Sequence, residues 1–432
     1  MHTDAHGLKL SIASAQAAQA WNHAIAGYMG YRADASDRIK ATLAHDPGFA
    51  LAHVLRGAFA MLSFSTANLG FAKDSLAKAA KLARTATPRE QAHVAALARW
   101  VDGDVPATLA AWEAILADHP TDPMAFRLHH FTAFWIGAAP RMLAAAESVA
   151  PAWAPELPGY ASLLACRCFA REEAGDAQGA EALGREAVDR DPADMWAAHA
   201  VAHCLEMQGR ETDGLYLLTT LSANWHGGNN LKHHLFWHQA LFHLAQGETD
   251  AVLRLYDHGF RDLASPLTQA MPDLYIDVQN AAAMLFRLVL RGIDVGERWQ
   301  ELADHAEARI GDTLSAFTLP HWGLALVHAG RMDAARSQVA AIDAAADETH
   351  HGRILREAAL PACRAVLAFA EGDDAVVLAE LAGAGVHLPR LGGSHAQQAL
   401  FQLLADAAAS RAARAAPVLP SQTAYRAARL MA

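Results

Sequence analysis

Cysteine is scarce: Cys166, Cys168, Cys204 and Cys363 are the four in 432 residues, with no Cys-x-x-Cys pair and no repeated spacing. That pattern excludes a disulfide framework and a thiolate zinc site, and it suits a reducing compartment. Positive charge is short as well, with 35 Lys and Arg against 46 Asp and Glu, a net charge of −11, and no basic run. Neither nucleic acid nor an anionic membrane surface is therefore expected as a partner. No stretch approaches roughly 18 uncharged apolar residues, so no membrane span is expected. The segment Met1 to His6 lacks a basic stretch followed by an apolar run, and a cytoplasmic location is the expectation. Enzyme signatures are missing too: there is no Gly-x-Ser-x-Gly, no phosphate-cradling P-loop, and no Gly-x-Gly-x-x-Gly in strand context.

What is abundant is helix-forming. Ala, Leu, Arg, Glu and Gln fill nearly every segment, and β-branched alternation is absent, which predicts an all-α chain. Charged residues are only 19% and apolar ones 53%, so much surface must be buried against other protein, in a large core or a homo-oligomer. Short breaks recur at Gly70, Gly103, Gly137, Gly175, Gly209, Gly247, Gly292, Gly330 and Gly372, at intervals of 33, 34, 38, 34, 38, 45, 38 and 42 residues. Two antiparallel helices with their turns need about 34 residues, and Gly supplies the left-handed C-cap. The spacing predicts an α-solenoid of tetratricopeptide-like helix hairpins. Asp46-Pro47, Asp122-Pro123 and Asp191-Pro192 are expected to close one helix and open the next, with Asp as N-cap and Pro in the first turn. No Pro-, Gly- or Ser-rich linker divides the chain. Residues 1–432 are read as one solenoid, with 1–30 an N-terminal cap and 405–432 a C-terminal cap.

Histidine is the unusual residue, with 24 copies. The glycines serve as a register for comparing side-chain direction between repeats. His199, His203 and Glu206 lie before Gly209, His234 and His238 before Gly247, and His321 before Gly330. At 100° per residue these positions span an arc of roughly 120°, so neighbouring first helices can aim them into one concave space. His130 falls at the edge of that arc, while His243 points elsewhere and is expected to pack. Two His-x-x-x-His pairs on consecutive repeats are the sharpest chemical signal, because imidazoles at i and i+4 can share one divalent ion. His199, His203, His234 and His238 are the candidate metal ligands, with Zn, Fe, Mn, Ni or Cu as the ion. His199-Ala-Val-Ala-His203 lacks the Glu of a zinc-protease helix, so that enzyme class is excluded. Trp196, Trp225 and Trp237 lie close by in sequence and offer aromatic walls for an organic ligand. Gly392-Gly393-Ser394-His395 opens a helix expected over Gln397 to Ala408. Exposed amides and Ser394 at that terminus could hold a carboxylate or phosphate.

These stretches resemble the tetratricopeptide repeat protein 38-like family. The matching pieces are Trp196-Ala-Ala-His199-Ala-Val-Ala-His203-Cys-Leu-Glu206, His234-Leu-Phe-Trp237-His238, Leu255-Tyr256-Asp257, Asp277-Val278 with Met284 to Leu288, Gly296-Glu-Arg-Trp299, and Gly392-Gly-Ser394-His395-Ala-Gln397. In order and spacing they span roughly residues 30 to 405. The resemblance implies an α-solenoid, and it adds Asp257 and Asp277 to His130, His321, His395 and the residues above as shared His and acidic positions. It brings no reaction. This chain departs from the family's pattern at Gln398-Ala399, where Arg-Asp is usual, and at Asn280, where an acid is usual.

Three functions compete. The first is a solenoid that binds a small molecule or metal ion in a concave His- and acid-lined pocket. There His130, Trp225, Trp237, Asp257, Ser394 and His395 touch the ligand. The second is a metal-assisted hydrolytic or oxidative enzyme in the same pocket, with Glu206, Asp277 and His321 as candidate catalytic groups. The third is a non-catalytic peptide-binding scaffold, the commonest use of such solenoids.

Overall fold

The computed structural model describes residues 2–415, and within them the chain is an all-α solenoid of antiparallel helix hairpins. The only strands among the described residues are His2–Thr3 and Lys9–Leu10, paired antiparallel. In Pro123–Trp135, Met195–Met207 and Tyr275–Leu290 the first helix of the hairpin faces inward and is buried on nearly every side. The second helices form the outer layer. In Ala177–Arg190 only Ala180, Gly184 and Ala187 are buried, a single stripe of small residues against the inner helices. None of the described helices is long and apolar enough to cross a membrane.

Eight of the nine register glycines, from Gly103 to Gly372, have φ between +63° and +95° and end helices as the spacing predicts. Gly70 does not. It lies inside the helix Leu69–Leu82, and the turn before it is made by Phe64, whose φ is +48°, and a short 3-10 turn over Thr66–Asn68. The Asp-Pro reading holds at one site of three. Asp122 accepts from the Ala125 amide and caps Pro123–Trp135, whereas Asp46 and Asp191 end the helices before them. Beyond Asp191, Asp194 is the N-cap of Met195–Met207, because a Pro-Ala insertion moves the start by one turn.

Residues 2–29 hold the strand pair and the helix Ala15–Met29, which packs on Ala35–His45 as a hairpin of its own. At the other end His395–Ala415 is one helix, starting earlier and running longer than expected. It passes position 405 without a break, and the remainder of the expected C-terminal cap, 416–432, lies outside the described residues.

The superhelix winds far enough to bring distant repeats together. The Thr66 amide donates to Asp312 Oδ2 at 2.9 Å, and Arg309 donates to the Phe64 carbonyl at 3.1 Å. The Ala33 amide donates to the Gly227 carbonyl at 3.0 Å, and the Asn229 amide to that of Tyr31 at 2.8 Å. Tyr275 meets both Phe64 and Trp135 edge to face with ring centroids 5.0 Å apart. At a third seam the loop Pro389 to Gly393 lies on the turn after Trp135. A Cβ on Gly392 would sit 2.5 Å from the Trp135 carbonyl oxygen, and one on Gly393 2.6 Å from the Phe317 ring. The concave face thus holds a partly open cavity of about 310 Å³.

Candidate metal centre

Asp194 starts the first site helix by accepting from the Trp196 and Ala197 amides at 2.8 and 3.2 Å. Ala197, Ala198, Ala200 and Ala202 are buried and let neighbouring helices approach closely, while His199 and His203 stack one turn apart on the inner face. One repeat on, Leu231–Ala245 carries His234 and His238 at the same offset, since 234 − 199 and 238 − 203 are both 35. The four imidazoles converge, with one ring nitrogen from each lying within 4.8 Å of the others. Ring centroids are 4.4 Å apart for His199 and His203, 4.5 Å for His203 and His238, 4.7 Å for His234 and His238, and 4.9 Å for His199 and His234. All four side chains are buried.

Their outer nitrogens are held from behind. His234 donates from Nδ1 to Asn280 Oδ1 at 2.8 Å, and His238 from Nδ1 to Glu206 Oε2 at 3.0 Å. His203 turns Nδ1 toward Glu172 Oε2 at 3.7 Å. Asn280 and Glu206 fix the tautomers of His234 and His238 with the Nε2 lone pair free; His238 Nε2 has no partner, and His203 Nε2 and His199 Nε2 are 3.0 Å apart, a hydrogen bond in which one of the two donates. Burial first, and then neighbouring imidazoles, push the pKa values of His199, His203 and His234 well below the usual histidine range. The neutral form favoured there is the one that ligates metals.

A pH dependence follows. These histidines titrate lower in the fold than in the unfolded chain, where the value is about 6.5. Their stabilising contribution is complete above that value and is lost as pH falls, because the unfolded chain then binds more protons. His321 and His328, both pushed down to about 4, act in the same sense; Glu173 and His395, both raised, act oppositely. The thermal midpoint of chelator-treated protein is expected to fall continuously between pH 7 and pH 5. A midpoint flat over that range contradicts the neutral-imidazole assignment.

Of the residues picked from sequence, the four histidines, Glu206 and Ser394 bear on the cavity. His199, His203 and His234 line it, His238 stands behind them, and Glu206 holds His238 from the outer side. Ser394 lines the cavity and caps His395–Ala415, in a reciprocal pair with Gln397. His395 is half-exposed and lies outside, 3.6 Å from Glu172 and 3.9 Å from Glu173. Asp277 is fully buried but serves Asn230 and His233, at 2.7 and 3.0 Å, and does not join the four histidines. His321 donates from Nδ1 to the Phe317 carbonyl, and His130 is enclosed by Phe126, Phe169 and Trp196. Neither lines the cavity. Trp225 packs on Phe236 away from the cavity, and Trp237 stacks behind His234 at 5.2 Å, so the aromatic wall is Trp196 instead. Asp257 forms a surface ion pair with Arg298. His243 bonds Glu248 on the outer surface.

The wall also corrects the expected acid lining: among its residues there is no Asp or Glu. Sequence reasoning missed Arg127, Tyr31 and the pair Glu172 and Glu173, which lies beside His203. The register held the signal. Arg127 is ten before Gly137, as His199 is ten before Gly209, and Glu172 is three before Gly175, as Glu206 is three before Gly209. Asn280, singled out as a departure, supplies the neutral acceptor behind His234.

No protein-family model matches the chain. Among solved structures it is similar to the human IFIT1 dimer with PPP-AAAA, at 14% identity and a TM-score of 0.43, over 77% of this chain and 72% of that one. It is similar also to the APC/C hetero-tetramer Cut9-Hcn1, at 14% identity and a TM-score of 0.43, over 89% of this chain and 69% of that one. A third likeness is to the P58(IPK) TPR domain, at 13% identity and a TM-score of 0.19, over 93% and 100% of the two chains.

Proposed function

We propose that His199, His203, His234 and His238 bind one divalent transition metal at the base of the cavity, where a small organic ligand also binds. The observation that carries this is the convergence of one ring nitrogen from each of the four imidazoles, with Asn280 and Glu206 accepting from His234 and His238 Nδ1 and so leaving their Nε2 lone pairs for a shared centre. Buried polar atoms are normally satisfied, yet His199 Nδ1 and His238 Nε2 are not. Imidazole ligands suit Zn, Cu, Fe and Ni better than Mg or Ca. The seams between distant repeats argue against an extended peptide in the concavity, because a peptide would have to break them.

The test is dialysis of the purified chain against Zn, Fe, Mn, Ni and Cu salts in turn, followed by elemental analysis and thermal melting. One ion per chain and a raised midpoint are expected for at least one metal. If every metal leaves both readings at background, there is no metal centre.

A reaction at the centre is a second reading, favoured by the Glu172 and Glu173 pair. Burial, and then the Glu172 charge, raise the Glu173 pKa well above the usual carboxylate range, so a neutral acid stands beside the ligand His203. Zn-loaded protein is then expected to hydrolyse activated esters, with Glu173→Gln at least about tenfold slower at unchanged metal content. Equal rates in the two proteins would remove this reading.

A further inference from the structure

The cavity that receives the metal centre carries an unpaired positive charge. Arg127 sits in its wall with its side chain essentially fully buried. Its guanidinium stacks on Tyr31 at 4.5 Å and on Trp196 at 5.2 Å, and Nη1 donates to the Cys166 thiol at 2.8 Å. Burial pushes that thiol up to about 11, so it is a neutral acceptor. Nη2 has no partner, and the buried Asp194 carboxylate acts on Arg127 only from beyond ion-pair distance. Guanidinium stays charged in proteins, and a buried charge without a counter-ion is costly. In a chain of net charge −11, a wall with two arginines and no acid is a local positive field. The other arginine, Arg32, stands nearer the surface and donates to the His226 carbonyl.

Around Arg127 the wall is aromatic, with Tyr28, Tyr31, Phe131, Trp135, Trp196 and Tyr275. The hydroxyl of Tyr31 and the indole N–H groups of Trp135 and Trp196 are buried without partners. Trp196 lies between the two ends of the site, 5.2 Å from Arg127 and 4.6 Å from the His199 ring.

Building on the cavity reading above, we propose that the ligand is a small organic monocarboxylate with an aromatic or flat apolar body. Its carboxylate pairs with Arg127 and its body lies against Trp196 and Tyr31, directed toward the four histidines. The unpartnered Nη2 offers a donor to one carboxylate, and the aromatic wall supplies stacking area without further charge.

The test uses the full chain after chelator treatment, so that a carboxylate cannot simply ligate a metal. Calorimetry compares benzoate, phenylacetate and 3-phenylpropionate with their neutral amides. At least one acid is expected to bind about tenfold or more tightly than its amide. That preference should vanish in Arg127→Met and survive in weakened form in Arg127→Lys. Should Arg127→Met fail to fold, the acid-to-amide ratio in wild type and the Arg127→Lys result decide. Equal binding of acids and amides, no binding of any probe at millimolar concentration, or undiminished acid binding by Arg127→Met overturns the proposal. Metal stoichiometry is read separately. A chain that holds no metal but binds acids through Arg127 keeps this proposal and loses the metal centre, and the converse result does the opposite.

Discussion

In His203→Ala the metal affinity is expected to fall by more than the roughly 10- to 100-fold that removing an outer partner of a ligand costs. His203 is in the tightest part of the cluster, 3.0 Å from His199 Nε2 and 4.5 Å in ring centroids from His238. His238→Ala should behave alike, since it removes the second imidazole of the other helix. Glu206→Gln is expected at the milder level, because it only weakens the acceptor behind His238. In all three the circular dichroism of the metal-free protein should stay helical, and the rise in midpoint on adding metal should shrink in the same order as affinity. Histidines that serve packing alone predict another pattern, in which the metal-free midpoint drops and metal content is unaffected.

Gly137→Ala is expected to be the most disruptive single methyl in the chain. Gly137 has φ +65°, and an added Cβ would fall on the carbonyl oxygen of Pro389, which belongs to the backbone and cannot rotate away. The left-handed conformation alone costs an alanine on the order of 1 kcal/mol. The clash at the seam should bring the total to about 3 kcal/mol or more. Gly330→Ala is the matched control, with φ +78° and nothing near the new methyl, so it bears only the first cost. Urea denaturation of the two variants gives the comparison. Hydrogen exchange over 389–394 should accelerate in Gly137→Ala alone, because the loop is released from Trp135. Equal destabilisation of both variants would mean that the seam contributes nothing.

The repeat and the histidine convergence were legible because both depend on local periodicity. Glycine spacing marks where helices end, and a constant offset from each glycine fixes the face a side chain takes. His199 lies 10 residues before Gly209 and His234 lies 13 before Gly247, offsets that differ by about one turn and so keep the two on one face. What the register cannot contain is the superhelical twist, and so the closure of the cavity by Phe64, Tyr275 and the Pro389 to Gly393 loop was not visible. The same limit explains the errors of direction. Trp225, Trp237 and Asp257 are near the histidines in sequence, but they sit on the far sides of their elements or in ion pairs on the surface. Arg127 and Glu172 obey the same offset rule, but a lone arginine or glutamate carries no spacing signature that sets it apart from a solvated surface charge. Asp277 was read as a candidate acid, yet its buried oxygen is taken by His233 and Asn230.

The measurement that bears most directly on the four-imidazole centre is X-ray absorption at the edge of whichever metal the full chain retains after dialysis. Four nitrogen neighbours at about 2.0–2.1 Å, with the outer-shell scattering of imidazole rings, are expected in wild type. In His203→Ala that imidazole scattering should be lost or reduced in proportion. A first shell of oxygen or sulfur, or an identical spectrum from wild type and His203→Ala, would contradict the assignment of the metal to His199, His203, His234 and His238.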